Sequence, residues 1–418
     1  MSVSKLAQGL RGSEIIKIAG EINELKRQGQ DIANLTIGDF DSDIYPIPTE
    51  LKQEIIDAYN HNQTNYPPAD GMLNLRESVS AFLANRYDLD YPATQVLISG
   101  GSRPLIYSTF LAVVNPGEKV VFPTPSWNNN HYCDLLGAEA IMIPTRPEHN
   151  FMPTADDIRP HLKSAALLAL CSPLNPTGTM FGKKDLEEIC DLVIAENKTR
   201  AAGEKPLYLM YDQIYSQLTF GAHKHFDPVT LRPELKEYTI FIDGGSKCFA
   251  ATGVRVGWGF GPANIINNMK AIIGHMGAWS PKAEQVAMAK FLANDGFVDN
   301  YLAKIKTQVQ ASLNTLHEGF QQLKAEGFAV DSIEPMGAIY LTIKVDYKGK
   351  TTPEGMVLNS PADINFYLIK EAKVAFVPFS AFGTDEDMAW FRASVGTCTL
   401  DDIQRMIPRI KDALSKLK

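Results

Sequence analysis

Between residues 96 and 260 the sequence carries seven short apolar runs: VLIS, KVVF, AIMI, LLAL, LYLM, TIFI and VGWGF. They are rich in Val, Ile and Leu and do not alternate with polar residues, the pattern of strands buried on both faces. Helical segments separate them, so successive strands are joined by crossovers and lie in a mostly parallel sheet. The predicted fold class is α/β: a large domain with a seven-stranded, mostly parallel sheet sandwiched by helices, plus a smaller α+β domain. A chain of 418 residues is long enough to bury such a sheet.

The flanks read differently. Ile16, Ala19, Ile22 and Leu25 recur at helical spacing within residues 13–29, and an apolar strand ends at Gly38. Pro46 and Pro48 then mark a turn. Helices are expected over 51–59 and 73–87, with the loop NYPPADG between them. Beyond about residue 298 come a long helix (301–326), strand-like AIYLTIKV and VAFVP, and a last helix over 401–417. The expected division is residues 1–47 as an N-terminal arm and part of a small domain, 48–297 as the large domain and 298–418 as the small C-terminal domain.

Composition narrows the partners. The net charge is -8 without a basic cluster, which argues against nucleic acid. Five scattered cysteines without C-x-x-C spacing suggest neither a disulfide framework nor a metal site. No apolar run reaches the ~20 residues of a membrane span, and the first residues lack a secretory core, so a cytoplasmic protein is expected.

In an open parallel sheet, ligands bind beyond the carboxyl ends of the strands. After VLIS come Gly100, Gly101 and Ser102 and a helix expected from about Pro104, a turn that offers backbone N–H groups to a phosphate. Trp127 follows KVVF, Asn175 follows LLAL, Asp212 and Tyr215 follow LYLM, and Ser246 and Lys247 follow TIFI. A lysine at the exit of a buried strand serves either as a charge for phosphate or as a nucleophile towards a carbonyl. The P-loop spacing G-x-x-x-x-G-K-[ST] is absent and Cys248 follows the lysine, so the Schiff-base use stands. Singly, these residues also read as an ordinary turn, a core tryptophan, a helix cap and a proline-fixed loop. Their succession along one rim is what suits a phosphorylated aromatic aldehyde held by a lysine.

The segment S-K-x-x-x-x-x-G-x-R-x-G (Ser246, Lys247, Gly253, Arg255, Gly257), with D-x-x-Y, N-P-T-G and F-R-x-S, resembles the class I and II aminotransferases over nearly the whole chain. The resemblance implies pyridoxal phosphate as cofactor. It implies that Lys247 forms the Schiff base and later carries the proton of the substrate α-carbon, that Asp212 pairs with the pyridine nitrogen, and that Tyr215 and Asn175 bond the ring hydroxyl. Gly101, Ser102, Ser246 and Arg255 become phosphate ligands, and Trp127 stacks on the ring. Tyr66, from NYPPADG, is expected to reach the phosphate site of a neighbouring subunit, which implies a homodimer with shared active sites. Arg392 is the bidentate partner of the substrate α-carboxylate, with Gly38 and Asn175 beside it.

The match has departures. Gln213 stands where the family has Glu, Gly244 where a hydroxyl or amide is common, and IGDFDSD replaces the usual segment after the first strand. Bacterial aspartate-type members often carry a lysine for a distal carboxylate where this chain has Ser102, with Arg103 next to it. Ile15 and Ile16 are expected to close over the substrate as a lid. The implied activity is ping-pong exchange of an amino group between an L-amino acid and a 2-oxo acid. A β- or γ-elimination lyase, which shares the first half of that chemistry, and a non-catalytic ligand-sensing module are the alternatives.

Overall fold

The computed structural model of the protein describes residues 3–418 apart from 11 and 13, without the side chains of 5, 14–16, 21, 23 and 26. All seven apolar runs are strands of one sheet: β1 (Val96–Ser99), β2 (Lys119–Thr124), β3 (Glu139–Pro144), β4 (Ala165–Cys171), β5 (Tyr208–Asp212), β6 (Thr239–Gly244) and β7 (Gly257–Phe260). Their order across the sheet is β1-β7-β6-β5-β4-β2-β3. Neighbours among β2 to β6 run parallel, whereas β7 is antiparallel to both β1 and β6.

Two-sided burial is visible residue by residue. Leu168, Leu170, Leu209, Tyr211 and Phe241 enter one hydrophobic core, while their neighbours Leu167, Ala169, Met210, Ile240 and Ile242 enter another on the opposite face. Successive side chains of a strand point to opposite faces, so each face needs its own apolar residues and the sequence loses its alternation.

A second, antiparallel sheet comprises β8 (Val330–Ser332), β9 (Tyr340–Val345), β10 (Val377–Pro378) and β11 (Trp390–Ser394), in the order β10-β11-β9-β8. Ala33–Asn34 pairs in parallel with Val374–Ala375, which ties the start of the chain to its C-terminal part. The strand expected to run to Gly38 is shorter than the sequence suggests. Leu35 still donates to Ala375 at 3.0 Å and accepts from Ser394 at 2.8 Å, but the Thr36 carbonyl accepts from Arg392 instead. The backbone thereby leaves the ladder just before Gly38. The long helix, Asp295–Ala325, starts earlier than the expected 301: the Asn294 side chain accepts the Phe297 N–H at 3.2 Å, and Gly296 in the first turn hides the apolar period. The last helix, Leu400–Ser415, opens with a Thr399–Asp402 capping box, and the first long helix is Glu14–Arg27. No described helix is long and apolar enough to cross a bilayer.

Candidate active site

A pocket of about 650 Å³ opens at the carboxyl rim of the large sheet and is closed on one side by the second sheet. Ten of the twelve residues singled out in the sequence line it: Gly38, Ser102, Trp127, Asn175, Asp212, Tyr215, Ser246, Lys247, Arg255 and Arg392. The direction of β7 matters here. Because it runs against its neighbours, the residues just before it, Arg255 among them, lie at the same rim as the carboxyl ends of the other strands.

At that rim the helix Ser102–Val113 starts directly after Gly101, two residues before the expected Pro104. Gly101 has φ +91°, and a Cβ there would lie 2.2 Å from Arg255 Nη2. Only glycine lets the guanidinium pack against the turn. Arg255 donates to the carbonyls of Thr252 at 2.8 Å and Gly100 at 2.6 Å, and Ser102 Oγ donates to the Asp243 carbonyl at 3.3 Å. A helix N-terminus, two serines and a fixed guanidinium form an anion cradle.

Lys247 is half-buried and its Nζ donates to the Gly38 carbonyl at 2.5 Å. Burial, aided by the guanidinia of Arg392, Arg255 and Arg103 and opposed by Asp39, lowers its pKa to about 8. Asp212, at the end of β5, is raised to about 6 by burial, and the only hydrogen-bond donor to its carboxylate among the described residues is the Ile214 N–H at 3.1 Å. Among the described residues no cation pairs with it, and a protonated ring nitrogen is such a cation. Behind it, Gln213 Nε2 donates to Asp243 Oδ2 at 3.2 Å. Burial pushes Asp243 up to about 8, even with the Gly244 N–H on its other oxygen at 2.7 Å. A glutamate at position 213 would face that carboxyl, so the amide is the group that fits.

On the opposite wall Arg392, 2% exposed, donates from Nη1 to Asn175 Oδ1 at 3.0 Å and from Nη2 to the Thr36 carbonyl at 2.5 Å. Its guanidinium lies 4.7 Å from the Tyr340 ring centroid and 5.0 Å from that of Phe382. Nε is buried without a partner among the described residues. A buried cation with an unused donor has unfilled hydrogen-bonding capacity, which a carboxylate supplies.

Two of the twelve lie off the pocket lining. Gly101 contributes through its backbone at the cradle, and Tyr66 is 83% exposed, with its ring 5.5 Å from that of Trp279. The side chains of Ile15 and Ile16 lie outside the described ones, although Ala19 of the same helix lines the pocket. Arg103 turns inward, its guanidinium 4.8 Å from the Trp127 ring. Tyr340 and Asp39 were not foreseen. Tyr340 gave no signal beyond an aromatic in a strand, and Asp39 was visible only as the neighbour of Gly38.

The groups gathered here match those of a phosphorylated pyridine aldehyde and an amino acid: an anion cradle, a lone acid for a ring cation, an amine of lowered pKa and a buried guanidinium. The sequence profile of aminotransferase class I and II matches residues 30–410. The chain is 28% identical over 405 residues to a probable aspartate/prephenate aminotransferase of Rhizobium leguminosarum bv. phaseoli, covering 96% of both chains. It is 25% identical to the aspartate aminotransferase of Bacillus subtilis (strain 168), over all of both chains. In fold it resembles the aspartate aminotransferase of Rhizobium meliloti, with a TM-score of 0.88 at 23% identity over all of both chains. With the profile spanning both sheets and the pocket between them, the chain belongs to the class I and II aminotransferases and uses pyridoxal phosphate as its cofactor.

Proposed function

We propose that this aminotransferase exchanges the amino group of an acidic L-amino acid, aspartate foremost, with a 2-oxo acid. The observation that carries the substrate class is the charge of the pocket: four cationic side chains (Arg103, Lys247, Arg255, Arg392) against two acids (Asp39, Asp212). The cofactor phosphate and the substrate α-carboxylate use Arg255 and Arg392. Arg103, stacked on Trp127 and without a carboxylate partner among the described residues, is left for an anionic substrate side chain. The names of the relatives in Rhizobium and Bacillus favour the same class.

In this reading Gly101, Ser102, Ser246 and Arg255 hold the phosphate, Trp127 covers the ring, and Asn175 and Tyr215 donate to its hydroxyl. Asp212 keeps the ring nitrogen protonated. The bound cofactor supplies an electron sink for the substrate α-carbon. Arg392 holds the α-carboxylate, with Asn175 and the Gly38 backbone beside it. Lys247 would hold the cofactor through its amine and, when that amine is free, would take the α-proton of the substrate. Burial disfavours the ammonium form of Lys247 and so favours the neutral amine that takes the proton.

A homodimer in the cytoplasm, serving amino acid biosynthesis, belongs to the same proposal, as does the division of the chain at 47/48 and 297/298. Support for the dimer comes from Tyr66, far more exposed than a tyrosine serving its own chain would be, with Tyr59, Leu73 and Met276 also exposed.

The test is to add single L-amino acids to the cofactor-loaded enzyme without oxo acid and follow the cofactor absorbance. Stoichiometric conversion to the pyridoxamine form by aspartate or glutamate, at least tenfold faster than by alanine or leucine, is expected. Equal rates would overturn the substrate class, and ammonia and pyruvate accumulating from cysteine or serine, whose β-substituent can leave, while the cofactor band persists would overturn the exchange in favour of elimination.

A further inference from the structure

Tyr340 stands on β9, in register with Ser394 of β11, and is 1% exposed. Its hydroxyl lies 2.6 Å from that of Tyr215, in the turn that follows β5 of the large sheet, with the two rings edge to face at 5.5 Å. The same hydroxyl packs against Gly38, where a Cβ would come within 2.7 Å of it, and the Gly38 carbonyl accepts from Lys247. One phenol thus touches the residue proposed to serve the ring hydroxyl and the backbone that holds the lysine amine.

The proton count decides its part. A phenol has one O–H to give. If Tyr215 spends its proton on the cofactor ring oxygen, the bond of 2.6 Å between the phenols requires Tyr340 to be the donor. A hydroxyl that accepts a hydrogen bond becomes a stronger donor itself. We propose that Tyr340 is a positioning residue of the reaction: by donating to Tyr215 Oη it fixes the direction of the Tyr215 proton and strengthens its bond to the cofactor ring oxygen. This rests on the assignment of Tyr215 to that oxygen.

Charged and titratable groups around Tyr340 are Arg392 from β11, Asp39 beyond Gly38, Cys171 at the end of β4 and Tyr215 itself. None of them is altered by Tyr340→Phe, which also keeps the ring against Arg392. The experiment titrates the absorbance of the bound cofactor between about pH 5 and pH 10 in the wild type, Tyr340→Phe, Tyr215→Phe and the double variant. A ring oxygen that loses part of its hydrogen bond keeps more negative charge and holds the neighbouring proton on the Lys247 nitrogen more firmly. The apparent pKa of Tyr340→Phe is therefore expected to rise by about half a unit to one unit, the worth of one ordinary hydrogen bond. The double variant is expected to titrate like Tyr215→Phe alone, since Tyr340 acts through Tyr215.

An unchanged titration in Tyr340→Phe, or an equal shift with and without the Tyr215 hydroxyl, would overturn the inference while leaving the functional reading in place. A Tyr215→Phe variant that titrates like the wild type would overturn the assignment of Tyr215, and the inference with it.

Discussion

Replacing Arg392 by lysine keeps the charge and removes the fork. In the protein two arms of the guanidinium are already engaged, by Asn175 Oδ1 at 3.0 Å and the Thr36 carbonyl at 2.5 Å, while Nε is unused. An ammonium group that satisfies those two buried acceptors has one donor left for a substrate carboxylate, so the two-point grip is lost. One charge-assisted hydrogen bond is worth about 1.5–3 kcal/mol. Losing the planar stack between Tyr340 and Phe382 adds about 0.5–1 kcal/mol. The total of about 2–4 kcal/mol corresponds to a loss of roughly thirtyfold to a thousandfold in kcat/KM. The assay is a single-turnover half-reaction, with the cofactor absorbance followed against amino acid concentration. A primary amine lacking the α-carboxylate serves as internal control, because it makes no use of Arg392 and is expected to react equally with both proteins. An unchanged kcat/KM for amino acids, or the same loss for the plain amine, would refute the placement of the substrate carboxylate at Arg392.

Two further outcomes follow from the local electrostatics and backbone. In the cofactor-free protein, burial and three guanidinia disfavour the Lys247 ammonium, so its amine is free at lower pH than that of an ordinary lysine. Trinitrophenylation of the amine by trinitrobenzenesulfonate, with loss of sulfite and mapped to Lys247, should rise with a midpoint near pH 8, with about one amine in ten reactive at pH 7; a midpoint in the usual lysine range would contradict the burial argument. Gly101→Ala forces a side chain onto a backbone with φ +91° and into Arg255. Strain of about 1–3 kcal/mol should appear as a lower melting temperature, and cofactor affinity by equilibrium dialysis should fall about tenfold or more. Unaltered values in both would show that the turn has room to relax.

Much of the site was legible because its chemistry sits at strand ends. Trp127, Asn175, Asp212, Tyr215 and Lys247 each follow an apolar run within a few residues, so the order of the runs alone brings them to one rim. Tyr340 could not be read this way. It meets Tyr215 across 125 residues of sequence and from the other sheet, and a tyrosine inside AIYLTIKV looks like any half-buried strand residue. The inward turn of Arg103 was equally hidden, since a guanidinium at a helix start points wherever the nearest aromatic face lies, and here that face is Trp127. The early start of the long helix was missed for a local reason: the cap at Asn294 precedes a glycine that interrupts the apolar spacing.

The sequence by itself determined the set of strands, because burial on both faces of a sheet demands unbroken apolar runs. It also brought Trp127, Asn175, Asp212, Tyr215 and Lys247 together as candidate site residues, because residues that follow parallel strands share one rim. Three matters were left to the tertiary structure. The antiparallel direction of β7 brings Arg255 to the turn at Gly100 and Gly101, and strand direction depends on pairing across the sheet rather than on the residues of one strand. The second sheet sets Arg392 and Tyr340 opposite Asn175 and Tyr215. Burial moves Asp212 to about 6 and Lys247 to about 8, since the cost of a charge depends on what surrounds it in space and not on its neighbours along the chain.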